Sequence, residues 1–393
     1  MDTQQPTVRV SGPADLVAAV PHLLGFVPRD SLVLVGVDGS SGRVKLTARV
    51  DLPPGRRPPP ALLDRMVTGL ARSGAQAAVL LFYVEDPQGS GLAGLGSRMR
   101  ARLQSRGIAT RDVLLVWSGR FRSLVCEDPR CCPPEGRPAP DPAASPLAAG
   151  TVLTGRAVLP DRDAVLASID PAEPAFLRAV AAALARAERS LAERLDAGEP
   201  LTRVRQEVLE HWRVTLREVE AGDWAGSAEQ IAMLLVGLGD VATRDAMLLT
   251  AAEHCPSVAV AALVEVVRGA GPQQLAAAGA ALAWHAYLAG DGCLAAAALD
   301  RAQTADPTYS LAVLLRTGLE AAVPPSVLGE VLEAMSELET EAMTELGTDM
   351  GRATGRSTRG STGRSTGRST RGSTRGSTGR STGRDPAAGS ASS

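Results

Sequence analysis

The chain has 393 residues, of which 45% are hydrophobic and only 3% aromatic, so it is long enough for two folded domains whose cores must rely on Ala, Leu and Val. The formal net charge of −2 is unevenly spread: residues 352–384 hold nine arginines and no acid, while residues 1–350 carry 32 basic against 42 acidic side chains, which is not the balance of a general nucleic-acid binder. Lys45 is the sole lysine and sits in GRVKLTARV, which excludes a G-x-x-x-x-G-K-[ST] phosphate loop and leaves no other residue for Schiff-base chemistry.

The first residues, MDTQQPTVRV, lack a basic stretch followed by an apolar one, so no signal peptide is expected. No apolar run reaches membrane-spanning length without a charge or histidine. Residues 7–10 (TVRV) read as a short strand. PADLVAAVPHLL then reads as a helix, with Ser11 as its cap and Pro13 in its first turn. Gly25 stops that helix in the left-handed conformation, and Pro28 prevents its resumption. SLVLVGVD is a continuous apolar strand of the kind buried on both faces.

RVKLTARVDL alternates strictly, with Val44, Leu46, Ala48, Val50 and Leu52 on one face and Arg43, Lys45, Thr47, Arg49 and Asp51 on the other. This pattern predicts an edge strand or one with an open face, whose charges either blunt aggregation or dock an acidic partner. The loop VDGSSGR joins the two strands as a hairpin. If Asp38 pairs with Arg43, the register sets Asp30 opposite Asp51 and Leu32 opposite Arg49. Arg29, Asp30, Ser31, Arg49 and Asp51 then gather at one end of the hairpin, as a solvated ion-pair rim or as a polar binding site.

Farther along, PALLDRMVTGLARSG is helical, AAVLLFYVED a strand, GSRMRARLQSRG a helix and DVLLVWSG a strand. This order predicts an α/β layer with a mixed sheet. GSGLAG, residues 89–94, matches G-x-G-x-x-G between a strand and a helix. Two acids in EDPQ precede it, and the next strand ends without a ribose-binding acid, so it reads as a flexible glycine loop and no cofactor is expected.

The loop CEDPRCCPPEG is the most unusual stretch, with Cys126, Cys131 and Cys132 close together in sequence. Thiolates favour soft metals, but Cys-x4-Cys-Cys is not a standard zinc spacing and no histidine lies nearby. Structural thiols, a metal site, a redox pair and a nucleophile all stay open; Arg120, Arg122 and Arg130 would lower a thiol pKa if they surround it. An odd count of five cysteines does not suit a secreted disulfide framework, so a cytoplasmic protein with reduced thiols is expected. His22, His211, His254 and His285 are scattered and read as helix-face residues.

From about residue 142 the chain turns to Ala- and Leu-rich helical stretches such as AFLRAVAAALARAERSLAERL. In residues 276–309, Leu282, Gly290, Ala295, Leu299, Ala302 and Pro307 follow the spacing of a tetratricopeptide-like helix pair, while Gly279 stands where a large residue is expected. The tail GRATGRSTRGSTGRSTGR and its continuation have no apolar residue larger than alanine and read as disordered. Its GRSTG matches a G-x-S-x-G nucleophile pattern but lacks the strand and helix that an elbow needs.

The segments VPHLLGFVPRDSLVLVGVDG, ARVDLP, CEDPRCCPPEGRP, GRAVLPDRDAV and LAWHAYLAGDGCLAAAALDRAQTADPTYSLAVLL together resemble the actinobacterial domain of unknown function 4192 family, over about residues 7–325. The resemblance implies an intracellular actinobacterial protein and brings no activity, ligand or catalytic residue. The expected organisation is an α/β domain over 1–141 ending in the Cys/Pro-rich loop, an all-α, tetratricopeptide-like domain over 142–346, and a disordered tail over 347–393. The expected role is a non-enzymatic interaction or regulatory protein that binds a protein partner through the helical domain, or a small ligand. Nucleic-acid contact is expected only weakly through the tail, and membrane contact not at all. The alternative is an enzyme or a metal or redox switch in which the Cys126/Cys131/Cys132 loop meets the Arg29/Asp30/Asp51 hairpin end.

Overall fold

The computed structural model describes residues 12–39, 41–52, 57–87, 91–145, 148, 158–250, 256–324 and 327. The expected strand at 7–10, Ser11, His254 and the C-terminal tail lie outside them. Helix α1, Pro13–Leu24, is capped by Gly12 and ends at Gly25, whose φ of 79° is left-handed as the sequence required. Strand β1, Ser31–Val37, is buried along its whole length, as its unbroken apolar run predicts. Strand β2, Val44–Asp51, follows, then α2, Pro60–Arg72, β3, Ala77–Tyr83, α3, Leu92–Gln104, and β4, Ala109–Trp117. Two short strands that the sequence reading missed, β5, Arg120–Ser123, and β6, Arg137–Pro138, complete the sheet.

The strand order is β2-β1-β3-β4-β5-β6, so β2 lies at an edge as its alternation predicts. Only β3 and β4 run parallel, linked through α3; the other neighbours are antiparallel. Helix α1 covers one face through Leu16, Val17 and Val20, packed on Val33, Val35, Leu81 and Leu114. Helices α2 and α3 cover the other through Leu63, Met66, Leu70, Met99 and Leu103, packed on Leu32, Leu34, Leu80 and Leu115.

The hairpin register differs from expectation by one residue. Asp38 does receive the carbonyl of Arg43 on its N–H at 2.9 Å, as predicted. A bulge between Gly36 and Val37 then pairs Val37 with Val44 but Gly36 with Leu46, leaving Lys45 as the extra residue. Ser31 therefore lies opposite Asp51, Leu32 opposite Val50 and Val33 opposite Arg49. The bulge also breaks the uniform alternation. Val44 packs with the α1-side core, whereas Leu46, Ala48, Val50 and Leu52 pack on the α2/α3 side.

The second half is helical: α4, Arg162–Ala167; α5, Pro174–Asp196; α6, Leu201–Ala221; α7, Ala228–Gly239; α8, Val241–Thr250; α9, Pro256–Gly269; α10, Leu275–Leu288; α11, Gly292–Ala305; and α12, Ser310–Glu320. Every residue of α10 from Ala276 to Ala286 is buried, which makes it the axis of this array. Small residues allow neighbours to approach it closely. A Cβ on Gly279 would stand 2.9 Å from the Ala298 carbonyl oxygen and 3.0 Å from Ala302 Cβ, so the large residue expected there has no room.

The sheet-bearing and helical halves belong to one packed unit. Val27 N–H donates to Leu159 O at 3.0 Å and Leu159 N–H to Gly25 O at 2.9 Å, while Phe26, 1% exposed, enters the helical core. Where the chain leaves α12 it returns to α2: Arg72 Nη1 donates to Ala321 O at 2.6 Å, and Gly69 leaves space for Ala322.

Candidate functional site

The five polar residues at the hairpin end do not all converge. Ser31 is fully buried; its Oγ donates to Arg29 O at 2.5 Å and accepts from Arg49 Nε at 2.9 Å. Arg49 also pairs with Asp51 at 2.5 Å, and its guanidinium lies 5.3 Å from the Phe26 ring centroid. Arg29 contributes only its carbonyl to this set, and its side chain is exposed. Asp30 adopts φ 36°, unusual for a residue with a Cβ, and its carbonyl accepts the Leu52 N–H at 2.6 Å. The Arg49 side chain is 14% exposed, so it does not belong to an open charged face. The Phe26 ring, which packs in the helical core, lies against its guanidinium.

The cysteine loop is built from the opposite end of the sheet. Ser118 and Gly119, with φ of 43° and 70°, form the tight turn that folds β5 back on β4. Ser123 Oγ then donates to Asp112 Oδ1 at 2.6 Å and accepts the N–H groups of Val125 and Cys126, each at 3.1 Å. That triple bond fixes Cys126 just past the strand. Asp128 O accepts both Cys131 N–H at 3.1 Å and Cys132 N–H at 2.8 Å, which curls the chain back toward Cys126. Gly136, at φ 74°, lies where any side chain would strike Trp117. Arg120 holds the loop's far side through Glu135 O at 2.7 Å and Gly136 O at 2.9 Å.

The result brings all three cysteine sulfurs within 4.8 Å of one another, with Cys131 and Cys132 Sγ 4.0 Å apart. Beside them lies a cavity of about 470 Å³. Its wall comes from the start of α1 (Gly12 to Asp15), from Arg111, Asp112 and Leu114 of β4, and from the cysteine loop itself, with Arg122 and Arg137. Arg122 Nε is buried and finds no hydrogen-bond partner among the described residues. The Cys131 thiol is pushed up, first by its hydrogen bond with Cys132 and then by Cys126. Arg120 is committed to backbone carbonyls.

None of Arg29, Asp30, Ser31, Arg49 or Asp51 lines this cavity. The sheet register explains why. Ser31 aligns with Tyr83, and Tyr83 with Val116, at one end of the sheet; Asp112, which fixes the Cys126 turn, aligns with Val79 toward the other. The two groups also lie at opposite ends of α1, so the composite site of the alternative reading is not assembled among the described residues. The glycine loop at 89–94 falls partly outside the described residues; Gly91 caps α3 at φ 107°, and a Cβ on Gly96 would stand 3.6 Å from Phe82 and Val113. Sequence reasoning missed the cavity itself, because its wall joins residues 12–15 to residues 111–137. The cysteines and Arg122 were the only signals of it.

These features define a mixed α/β layer that carries a thiol-lined cavity and continues into an alanine-rich helical array. The chain belongs to the family described as domain of unknown function (DUF4192), whose model matches residues 13–326. Comparison with curated proteins and with solved structures gives no match. Among the described residues, no helix is long and apolar enough to cross a membrane.

Proposed function

We propose that the protein is a cytoplasmic, non-enzymatic regulatory protein that binds a small ligand in the cysteine-lined cavity and a protein partner through its helical half. The observation that carries this reading is the separation of the two polar groups. An enzyme built on both would bring a thiol to Arg29, Asp30 or Asp51 in one concavity; here the hairpin residues clamp the sheet to the helices and the thiols line a cavity elsewhere. The volume of about 470 Å³ falls within the range of small-molecule sites. Three arginines, Arg111, Arg122 and Arg137, outnumber the two aspartates, Asp15 and Asp112, in its wall, and that excess favours an anionic ligand. The helix pair α10 and α11, with its tetratricopeptide-like spacing, supports the partner-binding role of the second half.

The ligand reading is tested with Ala14→Trp, a substitution at an exposed position of α1 that fills the cavity without touching the sheet core. A panel of small anionic metabolites is screened by thermal shift on the metal-free full chain. Compounds that raise the Tm of the parent are expected to leave the variant unmoved. The reading fails if no compound shifts the parent, or if every shift survives in the variant.

A further inference from the structure

The cysteine loop brings its sulfurs together outside any apolar core: Cys126 and Cys132 are half-buried and Cys131 is exposed. Packing therefore does not account for three thiols in one place. A tetrahedral zinc ion with Zn–S bonds of about 2.3 Å sets its sulfurs about 3.8 Å apart. Cys131 and Cys132 already stand at 4.0 Å, and all three sulfurs lie within 4.8 Å, so small side-chain rotations suffice. Adjacent cysteines are poorly suited to share one ion in an extended chain. Here the shared acceptor Asp128 O turns both backbone N–H groups the same way and brings the two sulfurs together.

We propose that Cys126, Cys131 and Cys132 form a three-thiolate site for a zinc-class divalent ion, with the fourth position open to the adjoining cavity. On binding, three S–H bonds break, three sulfur–metal bonds form and three protons pass to solvent; no electrons are transferred. Three neutral thiols and a doubly charged ion become a site of net charge −1. Arg122 lines the same cavity, and Arg130 lies within the loop. Three protein ligands and one open position is the arrangement of zinc sites that bind an exchangeable ligand rather than purely structural ones. This assignment rests on the reading of the cavity as a ligand site and deepens it: the open metal position adds one contact to those of the cavity wall, which binds its ligand without it.

The test uses the full chain, reduced and stripped of metal, titrated with Co²⁺ and then Zn²⁺. One Co²⁺ per chain is expected, with sulfur-to-cobalt charge-transfer absorption and the visible bands of tetrahedral cobalt, both abolished by Zn²⁺. Cys126→Ser, Cys131→Ser and Cys132→Ser should each weaken binding by at least the roughly 10–100-fold that even outer-shell partners contribute. Cys293→Ser, at a half-buried thiol of α11, should not change it. Circular dichroism of each variant checks that it is folded. Absence of stoichiometric cobalt, or cobalt bands that persist when all three cysteines are replaced, would overturn the assignment. So would rapid loss of two of these thiols to a disulfide in air with no metal protection. The readout is metal stoichiometry, whereas the Ala14→Trp screen uses metal-free protein, so either idea can fail alone.

Discussion

Arg49 lies over the ring of Phe26, 5.3 Å from its centroid, while its Nε donates to the fully buried Ser31 Oγ. One side chain thus ties the sheet edge to a ring that belongs to the helical core. Arg49→Ala should lose about 1–3 kcal/mol of unfolding free energy, from the stripped hydroxyl and the lost ring contact. Phe26→Ala should lose about 3–5 kcal/mol. Lys45→Ala, at the exposed bulge, should stay within about 0.5 kcal/mol of the parent. Urea unfolding measures all three. Equal effects at Lys45 and Arg49 would contradict the covered position of Arg49.

The charged-edge question now rests on Arg43 and Lys45 alone. Replacing both by glutamate should leave the protein folded and monodisperse by gel filtration. If the edge docks an acidic partner, that variant loses a partner that the parent retains. Adding Arg49 to the set would confuse docking with stability.

Asp240 opens α8 and accepts from Thr243 N–H at 2.9 Å, Thr243 Oγ1 at 2.7 Å and Arg205 through two bonds at 2.9 Å. Arg205, more than any other group, holds its carboxyl down at about 2. A carboxylate depressed in the folded state stabilises the fold above its ordinary value near 4, and that contribution is lost as pH falls toward 2. The parent should lose stability across that window, and Asp240→Asn should lose less there. Asp240→Ala should also cost about 1 kcal/mol at neutral pH through the missing cap. Identical acid profiles for parent and Asp240→Asn would refute the linkage.

Gly279 faces the backbone of α11, and a methyl group there would overlap the Ala298 carbonyl. Gly279→Ala is expected to destabilise by about 1–3 kcal/mol despite the better helix propensity of alanine. A rise in Tm would show that the two helices separate freely.

Removing residues 351–393 should leave the Tm unchanged, because this composition offers no apolar surface to bury. A fall of several degrees on differential scanning would mean that the arginine-rich tail docks on the acidic body.

The sheet's central strands were legible because burial on both faces writes an unbroken apolar run, as in SLVLVGV and AAVLLFY. The end of α1 at Gly25 was legible because only a left-handed residue fits there. The hairpin register was not, since a bulge at Lys45 costs one residue of alignment and leaves no compositional mark. Strand β5 was missed because four residues, RFRS, carry too little pattern to stand out from a loop. Arg49 looked like surface because alternation shows which side of a strand a residue takes, but not what crosses above it. The cysteines were conspicuous, yet their convergence depends on two acceptors of backbone N–H groups, the side-chain Ser123 Oγ for one and the main-chain Asp128 O for the other two.

Phe26 follows the first helix in the chain yet packs in the core of the helical half, and this has a consequence for biosynthesis. The sheet-bearing half leaves the ribosome first. Until Leu159 follows, the Gly25 carbonyl and Val27 amide lack the partners they later find, and an aromatic ring has no core to enter. The nascent chain therefore carries a sticky spot that only further translation can cover. A stalled or truncated product ending near residue 145 would expose it permanently. A genetic exchange that carried the sheet-bearing half alone would create the same defect.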